Sequence, residues 1–103
     1  MYQPDNWIIL KINGDLGSCF YKVLAGWSGG YLDSDYWRIN SGITKIEDDD
    51  KYWLLKGETG SIYKCHKESQ CVRMNISGIL SQLLDIKNVE VIQIEDILGI
   101  LKE

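Results

Sequence analysis

The chain has a single His, a single Pro, a single Phe, two Arg and three Cys among its 103 residues. Each scarcity excludes something. With one His, any His-dependent chemistry must run through His66, and paired-histidine acid–base work is ruled out. Three cysteines are odd in number and too few for a disulfide scaffold, so Cys19, Cys65 and Cys71 are expected as free thiols in a reducing compartment. Cys65, His66 and Cys71 do not make a convincing metal triad, because adjacent strand residues point to opposite faces and no fourth ligand is in view. No apolar run approaches the ~18 residues of a membrane span, and residues 1–6 lack the basic and apolar regions of a secretory signal. A soluble, cytoplasmic protein is therefore expected. Phosphate-loop, dinucleotide, zinc-protease and nucleophile-elbow motifs are all missing.

Positive charge is also in short supply. Eleven Lys and Arg against fifteen Asp and Glu leave a net charge of −4, which repels nucleic-acid polymers and anionic membranes and requires any anionic ligand to be held by a local patch. What the chain does have is ten Gly, four Trp and six Tyr. Glycine with large rings serves recognition surfaces as readily as cores.

The hydrophobic pattern predicts one α+β domain over residues 1–103. Alternation in residues 7–12 and 20–25 around an Asn13-Gly14 turn predicts a hairpin. Further short strands are expected at 36–40, 43–47, 51–56 and 61–65, giving an antiparallel meander of about six strands forming a curved sheet or small barrel. The period then changes. Ile76, Ile79, Leu80, Leu83 and Leu84 form the stripe of an amphipathic helix that covers the sheet, with Asn75 placed to cap it. A strand at 89–94 follows, and then residues 94–101, whose Ile97, Leu98, Ile100 and Leu101 predict a short helix or a tail packed on the core or on a second copy.

The candidate site falls on two loop-bearing segments and one basic stretch. Trp27, Ser28, Gly29, Gly30 and Tyr31 combine backbone freedom with rings, while Trp37, Arg38, Asn40 and Ser41 add a cationic fork and directional hydrogen bonds. Lys64, Lys67 and Arg73 are the only local basic excess, beside the Gly57–Gly60 turn. Together they suggest a binding site in which Trp27, Tyr31 and Trp37 stack, Arg38, Lys64, Lys67 and Arg73 neutralise phosphate, and Ser28, Asn40 and Ser41 orient the ligand. The competing reading makes the rings core residues and the glycines turns. No catalytic residue, metal or cofactor is expected.

Three stretches resemble a group of small proteins of tailed bacteriophages: Tyr21-Lys22-Val23-Leu24-Ala25-Gly26-Trp27-Ser28-Gly29-Gly30-Tyr31-Leu32, Trp37-Arg38-Ile39-Asn40-Ser41-Gly42-Ile43 and Gly60-Ser61-Ile62-Tyr63-Lys64-Cys65-His66-Lys67. The likeness spans residues 20–74 and carries no activity with it. It implies a phage protein acting in the cytoplasm of the infected cell, and by class analogy one that blunts host defence. The expected function is then capture of a small, planar, anionic, nucleotide-derived ligand, by a protein that associates with itself through residues 94–101. The alternative is a protein–protein inhibitor or adaptor that uses the acidic surface around Asp48-Asp49-Asp50 against a host defence protein.

Overall fold

Residues Asn6 to Leu10 are buried without interruption, so successive side chains on both faces of one strand leave water. A strand apolar on both faces needs a covering layer on each side. That demand organises the molecule. A computed structural model describes residues 1–29 and 36–102.

Strand β1 (Asn6–Asn13) pairs antiparallel with β2 (Cys19–Trp27), the register running from Asn6 opposite Gly26 to Asn13 opposite Cys19. Beyond β2 lies β3 (Tyr36–Ile39), and on the other side of β1 lies β7 (Val89–Ile92), giving the order β3-β2-β1-β7. A second antiparallel sheet is formed by β4 (Ile43–Asp49), β5 (Tyr52–Gly57) and β6 (Ile62–His66). Helix α1 (Met74–Leu84) packs on one face of the first sheet, where Ile76 and Leu80 bury Ile8, Leu10 and Leu24. The opposite face, with Trp7, Ile9, Val23 and Ala25, meets Ile46, Leu55, Tyr63 and Cys65 of the second sheet. The same core takes in Ile94 and Ile97 at helix α2 (Glu95–Leu101).

The expected strands and helices are present, but a single curved meander or barrel is not. The chain leaves the first sheet between β3 and β4, where Gly42 has a positive φ of 150°, and the next three strands form a separate layer. One further expectation is corrected, and the short helix expected at 94–101 is present. Asn75 does not cap α1: Arg73 holds the extended N-cap position, and Asn75 is a buried helical residue whose side chain is drawn to Asn6 and Ser28. The apolar stripe of 94–101 is a helix largely used within its own core, with Leu98 and Leu101 packed against it and Ile100 exposed. No helix among the described residues is long and apolar enough to cross a membrane.

The N-terminal residues tie the layers together. Tyr2 N–H donates to the Ile62 carbonyl at 2.9 Å, and Lys64 N–H donates to the Tyr2 carbonyl at 2.7 Å, so Tyr2 extends the second sheet at β6. Four residues later, at Asn6, the same chain has become β1 of the first sheet.

Candidate functional site

Strand β3 is short, and its pairing with β2 fixes where each ring points. Tyr36 lies opposite Trp27, Trp37 opposite Gly26, Arg38 opposite Ala25 and Ile39 opposite Leu24. Paired residues share a face and neighbours alternate. Tyr36 and Arg38 therefore lie on the side of Trp27 and the second sheet, and Trp37, which is 44% exposed, lies on the α1 side. The expected joint role of Trp37 and Arg38 in one pocket is corrected by this alternation.

On the Arg38 side the rings form a continuous group. Trp27 stacks on Tyr36 with centroids 4.9 Å apart and planes within 5°. Tyr2 meets Trp27 edge-on at 6.3 Å and Tyr63 at 4.9 Å. The Arg38 guanidinium lies 4.6 Å from the centre of the Tyr2 ring, and its Nη1 donates to the Tyr2 hydroxyl at 2.9 Å. Trp27 Nε1–H donates to the Gln3 carbonyl at 3.0 Å, which holds the N-terminal segment at the edge of the ring. Tyr63 is buried below, and burial pushes its hydroxyl pKa up, partly opposed by the Arg38 charge. Tyr36, in contrast, is 53% exposed. A cation laid on one ring beside a stacked pair makes a flat surface with a charged edge.

Sequence reasoning missed Tyr2 and Tyr36. Tyr36 was open to inference, since it stands two residues before Arg38 in a strand and must share its face. Tyr2 carries no such signal, because its place depends on a bridge to a strand sixty positions away.

The remaining expected ligand contacts are engaged inside the fold. Ser28 N–H donates to Asp5 Oδ2 at 2.8 Å, and Ser28 Oγ accepts from Asn75 Nδ2 at 3.0 Å. Asn40 is buried and its Oδ1 accepts the Val23 N–H at 2.8 Å, while its Nδ2 has no hydrogen-bond partner. Ser41 Oγ sits 3.3 Å from the Thr59 hydroxyl and accepts the Thr59 N–H. These groups hold turns together rather than converge on a ligand. Gly29 adopts a left-handed φ of 67°; Gly30 and Tyr31 lie outside the described residues.

The basic stretch is dispersed, because the chain crosses from one layer to another between β6 and α1. Lys64 lies over the Tyr52 ring at 4.5 Å on the outer face of the second sheet. Lys67 lies 4.2 Å over Trp53 and pairs with Asp48 at 2.5 Å, a hydrogen bond that holds the Asp48 carboxyl below its usual range. Arg73 opens α1 across the first sheet. Cys65 is buried, and burial raises its thiol pKa; His66 points to the other face and accepts the Glu68 N–H at Nδ1. All three cysteines are free, and among the described residues no three His, Cys, Asp or Glu side chains gather to hold a metal ion.

Two open cavities stand out among the described residues. One, of about 330 Å³, is lined by Lys51, His66, Lys67 and Glu68. The other, of about 320 Å³, is lined by Ile12, Phe20, Lys22, Ser41 and Glu58. Comparison with protein-family models, curated proteins and solved structures finds no match to this chain.

Proposed function

We propose that the protein is a non-enzymatic binding protein that captures a small, planar, anionic ligand of the nucleotide-derived class on the face made by Tyr2, Trp27, Tyr36 and Arg38. The observation that carries this reading is Arg38, whose guanidinium lies on Tyr2 next to the stacked Trp27–Tyr36 pair on an exposed edge strand. In a chain of net charge −4 such a fork is a local exception, and its planar donors match phosphate or carboxylate in two-point contacts. The exposed Tyr36 ring offers a stacking face, an interaction of about 1–3 kcal/mol per base in single-strand binders. In the setting implied by the phage resemblance, the ligand is an immune signal of the infected cell and the role is sequestration in its cytoplasm.

Calorimetry against nucleoside monophosphates, cyclic dinucleotides and ADP-ribose tests the reading. Saturable heat that disappears in Arg38→Ala and Tyr36→Ala supports it, and no heat at micromolar protein removes it.

A second reading, a protein–protein inhibitor, is favoured by Trp37, an exposed ring on the opposite face of the same edge strand. A stoichiometric host partner retained by Arg38→Ala and lost by Trp37→Ala would select it. The acidic tip gives it less support than expected, since Asp48 is already paired with Lys67. Self-association through α2 rests on Ile100 alone, because its other aliphatic residues are used inside the protomer.

A further inference from the structure

At the edge opposite β3 the first sheet ends in β7, and the register of β7 on β1 decides which way its backbone groups turn. Asn13 N–H donates to the Asn88 carbonyl at 2.8 Å, so these two face each other as a hydrogen-bonded pair. Such pairs alternate along an antiparallel ladder. Lys11 with Glu90 and Ile9 with Ile92 are therefore the next two, and Val89 and Val91 turn their N–H and C=O groups outward. No strand or side chain among the described residues takes these groups. Other edges are blunted in ways this one is not. A register break between Ile43 and Lys45 and a bridge from Lys102 to Ile46 interrupt β4, and Tyr2 covers β6.

Side chains and charge say what would fit. Val91 lies opposite Leu10, on the α1 side of the sheet, and is exposed. Leu84 at the end of α1 and Ile86 in the connection to β7 are exposed too. A strand added beside β7 would thus meet an apolar surface at the residues level with Val89 and Val91. Glu90 points to the other face, with one carboxylate oxygen held by Asn13 Nδ2 at 3.1 Å. Asp85, Glu90, Glu95 and Asp96 belong to the strand or flank it, and Lys87 and Lys11, the latter opposite Glu90 in β1, offset only part of that charge. The surroundings are net acidic. A second copy of the chain is a poor occupant. Antiparallel pairing that uses both Val89 and Val91 would set Glu90 against Glu90 at the closer of the two cross-strand spacings, where like charges repel. Pairing centred on Val91 would need the backbone groups of Gln93, and these are already engaged with Asp96.

We propose that the β7 edge takes an extended segment of another protein as an added strand, with aliphatic residues level with Val89 and Val91 and a Lys or Arg between them, opposite Glu90. Backbone bonds to Val89 and Val91 supply the attachment, and the pair with Glu90 selects a basic segment. The proposal depends on neither the Arg38 face nor Trp37, and each fails separately.

Amide NMR and hydrogen exchange of the full chain test it, with the end-capped peptide Thr-Val-Lys-Val-Thr as probe and Thr-Val-Glu-Val-Thr as its control. In the free protein the Glu90 and Ile92 amides, bonded to β1, should exchange slowly and those of Val89 and Val91 quickly. The Lys peptide should give saturable shifts along residues 89–92 and slow the exchange of Val89 and Val91. The Glu peptide should bind about 5-fold more weakly, and Glu90→Gln should remove most of that difference. Val91→Pro deletes an outward N–H while leaving the bonds to β1 in place, and should weaken binding about 10-fold. Glu90 is exposed, so Glu90→Gln keeps the test decisive even if the proline variant does not fold. Arg38→Ala and Trp37→Ala should leave binding unchanged. The absence of saturable shifts, shifts without slowed exchange at Val89 and Val91, or equal binding of the two peptides would each overturn the proposal, as would a dimer of the chain that Val91→Pro abolishes.

Discussion

The Asn75 side-chain amide in α1 donates to Asn6 Oδ1 in β1 at 2.6 Å, a buried hydrogen bond between the helix and the strand it covers. Asn6 is fully buried and passes the interaction on through its own amide to the Cys71 carbonyl at 3.1 Å. Removing Asn6 takes this donor from the Cys71 carbonyl and leaves Asn75 Nδ2 with Ser28 Oγ as its remaining acceptor. Asn6→Ala is therefore expected to destabilise the fold by about 1–3 kcal/mol, read from the midpoint of urea unfolding.

Two glycines of the same region should respond in opposite directions. A Cβ at Gly26 would stand 2.7 Å from the Asn75 amide and from Ile76 Cγ2, so the N-terminal turn of α1 can sit on β2 only because this side chain is absent. Gly26→Ala is expected to cost about 1–3 kcal/mol. Gly78 lies inside α1 with open space around its missing Cβ, and Gly78→Ala should stabilise by about 0.5–1 kcal/mol. Thermal unfolding of the two variants side by side checks the pair.

The thiols should separate by environment. Cys19 is exposed and is expected to react promptly with a disulfide reagent, Cys71 more slowly, and Cys65 only as the protein unfolds. Burial holds the Cys65 pKa above its ordinary value of 9.0, so the folded state keeps a proton that the unfolded state gives up. Its effect on stability is absent at neutral pH and turns unfavourable as pH rises past 9.0. Cys65→Ser or Cys65→Ala should flatten the alkaline limb of the stability profile, and an unchanged limb would refute this.

At the acidic end the Lys67–Asp48 pair gives the opposite sign. Asp48 is held below its ordinary value of 3.8, first by the hydrogen bond from Lys67, against a smaller opposing effect of desolvation, and then by the charges of Lys67 and Lys102. Its contribution is fully present above 3.8 and is lost as pH falls through the lowered value. Asp48→Asn should be close to wild type in stability at pH 2 and less stable at pH 7. The pair is exposed, so added salt should narrow that difference.

Much of the layout was legible from period alone. The β-rich runs around Asn13-Gly14 and the stripe of Ile76 and Leu80 marked β1, β2 and α1, although the middle of β1 and of β2 is buried on both faces rather than alternating. The split into two sheets was not legible, since it depends on which strand β1 accepts as its second neighbour, and that strand, β7, is remote in sequence. The candidate site was half legible. The rule that adjacent strand residues face apart, applied to Cys65 and His66, holds equally for Trp37 and Arg38, where it separates the pair. What no local rule reveals is the place of Tyr2, whose ring comes under Arg38 only through pairing with β6.

The pairing of β1 with β7 joins Ile9 to Ile92. During synthesis β1 emerges long before its partner, so a strand apolar on both faces must wait, with one edge open, until residues 89–92 have left the ribosome. Distant contacts of this kind slow folding and leave open edges available for pairing with other chains. A nascent chain stalled before residue 89 would thus present β1 to its neighbours, and chaperone dependence should be greatest in that window.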